Sequence, residues 1–482
     1  MNGTETVGAG PCKDSLIQNY SPTPDVPFGF QDAAQWGFSP DATGVANQEA
    51  LQRAVDQGGT ILVSRPGTYA LAGTVYLGSH TSLIFGNGVS IKKVAERGLF
   101  SHVLLNKGAL SRTWDEHISV HGLHVIVNGV DVRTFNDVFG LHGQLAFFYA
   151  CDIRITGFRC QDLGKMQYGI HVCTFEDLVI DDVLIRGMKD GVHLGRGSRF
   201  TIRNGVFQTF DDAIALNAHD YDVGNPELGW IEDGIIENCH DLDQDDTTGY
   251  FCRILAGAWT DWRQGMEVQK SDTVASMGRL YRVRAEPDNT VFRSQTQPTH
   301  ERGGQVLDGI RWEVVQNDVT YTAGVRNVIF RDIFLRKPRI AFSIHFDNDH
   351  YSRSYYPGSP VPLQQNLCFE NVSVLYEKPT NFLAINTPVD ELKVSRCRFV
   401  TNKIAFYGNQ AMPDYGRTQV TLDTCTFTHS GPDAFALLDN QVPGKSIELT
   451  TRGSTVTQEG FRAALDGGEG QITVRSDLPG LR

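Results

Sequence analysis

The most constraining feature of this 482-residue chain is a repeat of constant length. The segments YGIHV (168–172), DGVHL (190–194) and DDAIAL (211–216) share one pattern, and Ile170, Val192 and Ile214 follow one another at intervals of 22 residues. A single short coil cannot bury its own apolar face, so a repeat of fixed length indicates coils that stack and share a core.

A second pattern lies between these segments: an apolar-x-apolar unit, two or three mostly polar residues, and another apolar-x-apolar unit. It occurs in ISVHGLHVIV (118–127), IRITGFRC (153–160), LVIDDVLI (178–185), FTIRNGVF (200–207), VIFRDIFL (328–335), LCFENVSV (367–374), LKVSRCRF (392–399) and VTLDTCTF (420–427). Period-two alternation predicts strands, and the polar residues between them predict sharp bends. The chain is therefore predicted to be all-β, a right-handed parallel β-helix. A β-sandwich also has many short strands but does not require a constant repeat.

Two regions depart from the repeat. The segment ANQEALQRAVDQGG predicts a helix over about 46–57, which would cap the open end of the solenoid. With the following RPGTY, it resembles the start of many pectin-lyase-like proteins. Residues 260–319 predict a small inserted β-module, which divides the chain into 1–259, 260–319 and 320–482. The module resembles small carbohydrate-binding and phage-tail-type modules through Trp262, Tyr281, Pro298, Asp308, Gly309 and Trp312.

Composition and net charge limit the classes of binding partner and the cellular compartments that we expect. The net charge is −13 and no dense Lys/Arg run occurs, so nucleic acid and membrane surfaces are not expected partners. No stretch approaches the roughly 20 apolar residues of a membrane span. The N-terminus lacks a signal-peptide pattern, so we expect either a secreted or periplasmic protein whose signal is missing from this chain, or a cytoplasmic one. Cys239, Cys397 and Cys425 occupy one phase of the repeat, which predicts small buried side chains instead of disulfides.

The repeat brings acids together. Aligning the three segments places Tyr168, Asp190 and Asp212 in one file, about 4.8 Å apart, with Asp211 next to Asp212. A single Asp at this position would be interpreted as an ordinary residue of a solvent-exposed turn. Three in register predict a site on the outside of the solenoid, in an exposed groove. The neighbouring polar side chains are candidates for substrate binding: His171, His193, His219 and Tyr221.

Clustered carboxylates suit glycosidic-bond hydrolysis, which needs a protonated acid for the leaving oxygen and an ionised carboxylate to activate water or attack carbon. Mutual repulsion raises the pKa of one group and holds a proton near neutral pH. The partner we expect is a polysaccharide or oligosaccharide, and this chemistry calls for no cofactor and no metal ion.

The motifs MKDGVHL and FDDAIALN resemble the NTDG and GDDCIAI motifs of glycoside hydrolase family 28, the β-helical inverting polygalacturonases and rhamnogalacturonases. The resemblance implies that Asp211 is the general acid and that Asp190 and Asp212 orient the attacking water. It also implies that Arg253 contacts substrate. The segment from FSIHFDND onward resembles the family's later strand and Tyr-bearing loop, which adds Asp347 and Tyr351 as candidates.

The departures from that family concern its basic residues. Leu255 stands where the family has Lys, and the family's GHG motif is missing. The resemblance then implies weaker binding of a uronate carboxylate, so a neutral or differently charged sugar at the cleavage subsite is plausible. Two other functions remain open: a β-helical lyase or epimerase, whose Asp cluster could bind calcium, and a non-catalytic glycan-binding adhesin. The sugar, the linkage, endo or exo attack and the oligomeric state are not fixed by the sequence.

Overall fold

The structure is a computed structural model and describes residues 29–132, 137–221, 224–244, 247–284, 290–347, 352–408, 416–428, 435–456, 463–466, 470–478 and 481. The chain folds as a right-handed parallel β-helix, as predicted, and every strand pairing within its large sheet is parallel. Three faces run along the solenoid, and the longest strands pass from one face to the next around a bend.

The face that carries the 22-residue repeat is called here the site sheet. Its strands are Val75–Leu77, Leu104–Asn106, the starts of Leu145–Thr156 and Ile170–Gly187, Val192–Leu194, Ile214–Asn217, Cys252–Leu255, Phe342–His345, Thr380–Ile385, Asn402–Phe406, Phe435–Asn440 and Ala463–Asp466. Ile170, Val192 and Ile214 are direct register partners and are fully buried in the core, so the predicted stacking is confirmed.

The other two faces continue each coil. The second contains Phe30–Asp32, Gly59–Val63, Thr81–Phe85, Asp115–His121, the end of Leu145–Thr156, the middle of Ile170–Gly187, the starts of Gly197–Thr209, Ile231–Asp241, Val325–Leu335 and Gln365–Val374, then Glu391–Ser395, Arg417–Asp423, Ser446–Arg452 and Gln471–Arg475. The third contains Gly67–Leu71, Val89–Lys93, His124–Ile126, Arg159–Leu163, the ends of Ile170–Gly187, Gly197–Thr209, Ile231–Asp241, Val325–Leu335 and Gln365–Val374, then Arg398–Val400, Thr426–Thr428 and Thr455–Val456.

The bend between the second and third faces is built from Asp and Asn in the left-handed backbone region. Asp182, Asn204, Asn238 and Asn371 have φ of 55°, 56°, 49° and 51°. Their side chains also bond along the stack, as in the 2.7 Å bond from Asn238 Nδ2 to Asn204 Oδ1. Short polar side chains tolerate this conformation best, which explains the polar residues in the middle of each repeat.

The N-terminal helix is Gly44–Val55, two residues earlier than predicted at each end. Thr43 caps it by accepting from the backbone N–H of Ala46, and its buried face packs on the first coils. Two 3-10 helices, Ala33–Trp36 and Lys107–Leu110, complete the helical content of the described residues. None of the described helices is long and apolar enough to cross a membrane.

Cysteines of the repeat behave as predicted. Cys239, Cys397 and Cys425 are free thiols whose buried side chains face the interior of the solenoid, and Cys397 and Cys425 lie on neighbouring coils. They therefore act as small apolar core residues.

Residues 260–316 form a separate sheet beside the solenoid. Its strands are Thr260–Asp261, Thr273–Ser276, Arg279–Arg284, Gly304–Leu307 and Ile310–Gln316, and a short pair joins Glu267–Val268 to Phe292–Arg293. Tyr281 and Trp312 lie fully buried at the centre of its own apolar cluster. Gly257–Ala258 pairs with Thr322–Ala323 where this insert leaves and rejoins the solenoid. Leu280 and Val315 pack instead on the solenoid core, so the insert is fastened to the β-helix.

Candidate active site

Three aspartates meet at one edge of the site sheet. Asp190 lies two residues before Val192, and Asp211 and Asp212 precede Ile214, so the register of these two strands sets Asp212 beside Asp190. The backbone N–H of Gly191 bonds to the Asp212 carbonyl oxygen (3.0 Å), which fixes this alignment. Carboxylate oxygens of Asp190, Asp211 and Asp212 all lie within 4.8 Å of one another.

The cluster is more enclosed than an exposed groove. Asp190 and Asp212 are only 4% and 2% exposed, whereas the Asp211 side chain is 27% exposed. The expectation of an exposed groove therefore holds only for Asp211, and the structure nearly covers the other two acids. The cost of burial is offset by specific partners. Lys189 Nζ bonds to Asp211, the Tyr250 N–H donates to Asp212 Oδ1 (2.7 Å), and His193 Nδ1 lies 2.9 Å from Asp190 Oδ2.

These surroundings separate the protonation states of the three acids. Burial, and then the charge of Asp211, raises the pKa of Asp190 well above its usual value. Burial and the neighbouring Asp211 and Asp190 charges do the same for Asp212. Burial also acts on Asp211, but Lys189, Arg253 and a hydrogen bond from Asp190 outweigh it and lower the pKa of Asp211. The pKa values of the three acids are thus driven apart, upward for Asp190 and Asp212 and downward for Asp211.

The carboxyl spacing differs from the inverting geometry. The resemblance to inverting enzymes predicts an acid and a base about 6.5–9.5 Å apart. The nearest oxygens here are within 4.8 Å, because the three acids occupy adjacent backbone positions on neighbouring coils. The stereochemical outcome depends on the burial of each acid as well as on this distance between nearest oxygens.

The predicted histidines divide into different environments. His171, His193 and Arg253 share one outward file of the site sheet. His193 lies between Asp190 and Asp220, stacks on Tyr168 at 4.3 Å, and is neutral at pH 7, since burial lowers its pKa to about 4. His171 is fully enclosed: its Nδ1 accepts from the His142 N–H and its Nε2 lies 2.9 Å from Asn225 Oδ1. His171 therefore supports the site from behind.

His219 and Tyr221 lie where the insert meets the solenoid. His219 is buried, with Nε2 3.5 Å from Thr273 Oγ1 of the insert, and burial lowers its pKa well below the usual range. The Tyr221 hydroxyl is 3.4 Å from the Tyr168 hydroxyl, which connects it to the stack against His193. The structure therefore brings Tyr221 to the site and holds His219 under the insert.

Arg253 and Asp347 form a buried pair next to the aspartates. Their closest nitrogen–oxygen distance is 2.5 Å, and His345 Nε2 lies 3.2 Å from the other Asp347 oxygen. Burial opposes ionisation of Asp347, but Arg253 and His345 outweigh it and lower the pKa of Asp347. Leu255 is buried and in register with His345. Tyr351 lies outside the described residues.

The structure adds Lys189, Asp220 and His345 to the residues around the cluster. Lys189 bonds to Asp211 and lowers its pKa, and the acids around Lys189 outweigh burial and raise its own pKa. Asp220 lies 3.4 Å from His193 Nε2, and His345 Nε2 lies 3.2 Å from an Asp347 oxygen. Lys189 is adjacent to Asp190 in MKDG and His345 lies two residues before Asp347, so both had a local signal in the sequence. The position of Asp220 depends on the path of the chain after the strand Ile214–Asn217.

The same oxygens could ligate a cation. Three carboxylates within 4.8 Å are a set that calcium accepts. Lys189, bonded to Asp211 and 3.9 Å from Asp190, already supplies positive charge there. An ammonium group at this position competes with a divalent ion for the same carboxylates.

Comparisons with known proteins support the fold. No protein-family model matches the chain, and no curated protein matches it in sequence. Among solved structures, the catalytic unit of a thermostable GH87 alpha-1,3-glucanase from Streptomyces thermodiastaticus is similar to it at 13% identity and a TM-score of 0.50, with 95% of this chain and 69% of that chain covered.

Two further structures have lower scores. An exopolygalacturonase from Thermotoga maritima has 13% identity and a TM-score of 0.46, with 95% of this chain and 93% of that chain covered. The surface adhesin PfbA of Streptococcus pneumoniae has 14% identity and a TM-score of 0.43, with 89% of this chain and 100% of that chain covered. At such identities the likeness concerns the fold and transfers no activity.

Proposed function

We propose that the protein is a glycoside hydrolase that uses Asp190, Asp211 and Asp212 as its acid–base machinery. The observation that carries this proposal is a cluster of three carboxyls within 4.8 Å of one another, in which burial raises the pKa values of Asp190 and Asp212 while Lys189 and Arg253 lower that of Asp211. Hydrolysis of a glycosidic bond requires a protonated and an ionised carboxyl side by side at working pH.

We assign a catalytic role to each acid from the solvent exposure of its side chain. Asp211 is the partly exposed member and is the one that a glycosidic oxygen can reach. Asp190 donates a hydrogen bond to it and supplies the proton. After this transfer, protonated Asp211 gives its proton to the leaving oxygen as the C–O bond breaks. Ionised Asp190 accepts a proton from the water that attacks the anomeric carbon, while Asp212 orients that water. Each group then regains its starting protonation state.

Burial also bears on stereochemistry. A retaining mechanism needs a carboxylate oxygen to bond directly to the anomeric carbon. Asp190 and Asp212 are nearly covered, so a water molecule reaches them more easily than a sugar ring does. We therefore propose inversion despite the short spacing, and proton NMR of the first anomer released would test it. A retained anomer would make one of the acids a nucleophile.

The raised pKa of Lys189 fits a hydrolase better than it fits a lyase. A lyase needs a base that is neutral before it removes the proton next to a uronate. The acids around Lys189 raise its pKa, so it stays charged and serves Asp211.

The test is incubation with a panel of plant and bacterial polysaccharides, with reducing ends and ultraviolet-absorbing unsaturated products measured in parallel. Asp211→Asn should lower kcat by about 10²–10⁴-fold with little change in KM, because it removes general acid catalysis. Asp182→Asn is the matched control, since Asp182 is an exposed bend residue whose left-handed φ Asn accepts. Unsaturated products would indicate a lyase, and binding without any product would indicate an adhesin.

A further inference from the structure

A second buried ionic cluster lies directly behind the turn that carries Asp211. Its acid is Asp241, the fully buried last residue of the strand Ile231–Asp241. Arg339 binds both oxygens of this carboxylate, at 2.9 Å through Nη2 and at 3.3 Å through Nε, and Lys337 Nζ lies 3.7 Å from it. Lys337 and Arg339 are only 1% and 7% exposed. These three residues are called here the backing cluster.

The two cations of the backing cluster also bind the backbone of the Asp211 turn. Lys337 Nζ donates to the Thr209 carbonyl oxygen, and Arg339 Nη1 donates to the Asp211 carbonyl oxygen at 3.0 Å. A guanidinium is planar, so the carboxylate of Asp241 that binds one side of it orients the donors on the other side. The Asp211 backbone is therefore fixed relative to the strand that ends at Asp241.

The carbonyl group between these two is held as well. The Phe210 oxygen accepts from Thr247 Oγ1 at 2.6 Å and from the backbone N–H groups of Thr248 and Gly249 at 3.1 and 3.2 Å. Arg339 Nη1 also donates to Thr247 Oγ1 at 3.2 Å, which connects this segment to the backing cluster. Consecutive carbonyl oxygens of the turn thus all have partners from outside the turn.

Gly249 supports the same turn by direct contact. A Cβ atom at this position would lie 2.1 Å from the Asp211 carbonyl carbon and 2.4 Å from the Asp212 nitrogen. The peptide that joins the two acids therefore packs on the glycine backbone, and any side chain at Gly249 would displace it.

The Asp211 carboxylate itself points toward the proposed reaction site. The charged groups around it are Lys189, Asp190, Asp212 and Arg253. Its distance from each of these groups depends on where the backbone of the turn is held. A misplacement of about 1 Å can lower the rate of a chemical step by about 10²-fold.

We propose that Arg339, held by Asp241 and joined to Thr247, is a positioning residue that fixes Asp211 for proton transfer. The inference rests on the proposed hydrolase function and adds to it a support that acts through the Asp211 backbone. Loss of this support should slow the chemical step and leave the binding of the glycan nearly unchanged.

The first measurement is kcat and KM per folded molecule on the substrate found in the panel, with the folded fraction taken from circular dichroism. Arg339→Gln should lower kcat by about 10- to 100-fold with KM nearly unchanged. Arg339→Lys keeps the charge but lacks the planar fork, so it should recover only part of this loss. Arg336→Gln is the matched control, because it removes the same charge from an exposed side chain of the same segment, and it should leave kcat unchanged.

Thr247→Val tests the same support without a change of charge. It removes the hydroxyl that donates to the Phe210 oxygen and accepts from Arg339, so kcat should fall, and Thr247→Ser should restore most of the loss. A purely structural role would lower the unfolding temperatures of Arg339→Gln and Thr247→Val and leave kcat per folded molecule unchanged, and this result would overturn the proposal. If Arg339→Gln does not fold, the two Thr247 variants decide the question.

The ionisation of Asp211 gives a readout that does not depend on turnover. Burial raises the pKa of Asp211, but Lys189 and Arg253 outweigh it and lower this pKa. A turn that no longer holds the carboxylate near these cations should therefore shift the Asp211 titration upward in ¹³C NMR of Thr247→Val. An unmutated chain that is inactive on every polysaccharide would refute the hydrolase alone. The upward shift would then still support the positioning of Asp211, and its absence would overturn it.

Discussion

Lys189 is the residue whose removal should change the chemistry of the cluster most directly. Its Nζ bonds to Asp211 and lies 3.9 Å from Asp190 Oδ1. Two unit charges at about 4 Å interact by roughly 4 kcal/mol at an effective dielectric constant near 20. That energy corresponds to about three pKa units. Because Lys189 and Asp211 are both partly exposed, solvent screens the pair, and we expect shifts of about one to two units.

The direction follows from the sign of the charge. A cation lowers the pKa of a neighbouring carboxyl, so Lys189→Met should raise the pKa values of the coupled acids. The acidic limb of kcat/KM, which requires one ionised carboxylate, should move to higher pH. The alkaline limb, which requires one remaining proton, should move the same way. The pH optimum is therefore expected to rise by about one to two units.

The assay is the pH dependence of kcat/KM on the substrate found in the panel, with ¹³C NMR of aspartate-labelled protein as a measurement independent of turnover. Lys189→Arg keeps the charge and serves as the control, with an expected profile close to that of the unmutated chain. An optimum that stays in place or moves to lower pH in Lys189→Met would show that Lys189 does not set the protonation of the cluster.

Two further predictions concern stability. Burial lowers the pKa of Lys93 to about 7, although its Nζ donates to Ser101, Gln144 and Gln167. Between about pH 7 and the ordinary value of 10.5, only the unfolded chain keeps the proton. The free energy of unfolding should therefore rise with pH in this range, by at most about 1.4 kcal/mol per pH unit. Denaturant titrations of Lys93→Met should lack this rise, and an identical pH dependence would contradict the assignment. The raised pKa of Asp190 contributes stability that is complete below its unfolded value of 3.8 and is lost as pH rises through the folded value. Asp190→Asn, which cannot ionise, should therefore unfold at an equal or higher temperature at neutral pH while losing activity, and a large destabilisation would indicate a purely structural role.

The architecture was predictable because each coil of a solenoid repeats the same pattern of inward-facing apolar residues. Ile170, Val192 and Ile214 must point inward on successive coils, so their spacing gives both the repeat length and the register. The bends were predictable for the same reason: Asn204 and Asn238 occupy equivalent positions with left-handed φ, which few residue types tolerate. The same register places Asp212 beside Asp190, so the neighbouring acids could be predicted from the sequence alone.

The electrostatics of the site were less predictable. Whether Asp190 is buried depends on what covers the sheet edge, and that is decided by loops far away in the sequence. Arg253 meets Asp347 across 94 residues, and Arg353 bonds to Asp272 of the insert, next to Ser354, which bonds to Asp347. Such contacts follow from chain paths between coils, which obey no repeat. The ionised state of Asp211 rests on these contacts as well as on Lys189.

The enclosure of the acids is itself an argument for function. Replacing buried charged groups by well-packed apolar ones is often neutral or stabilising, so such groups give a fold little stability in return for their desolvation. A side chain other than Asp fits this row of the site sheet, because Tyr168 occupies the position one coil before Asp190 and is fully buried. A chain selected only for stability has a ready substitute at Asp190 and Asp212. Instead it keeps three close carboxyls, with the pKa values of Asp190 and Asp212 raised and that of Asp211 lowered by Lys189 and Arg253. Strongly separated pKa values among close acids are what proton transfer to and from a substrate requires.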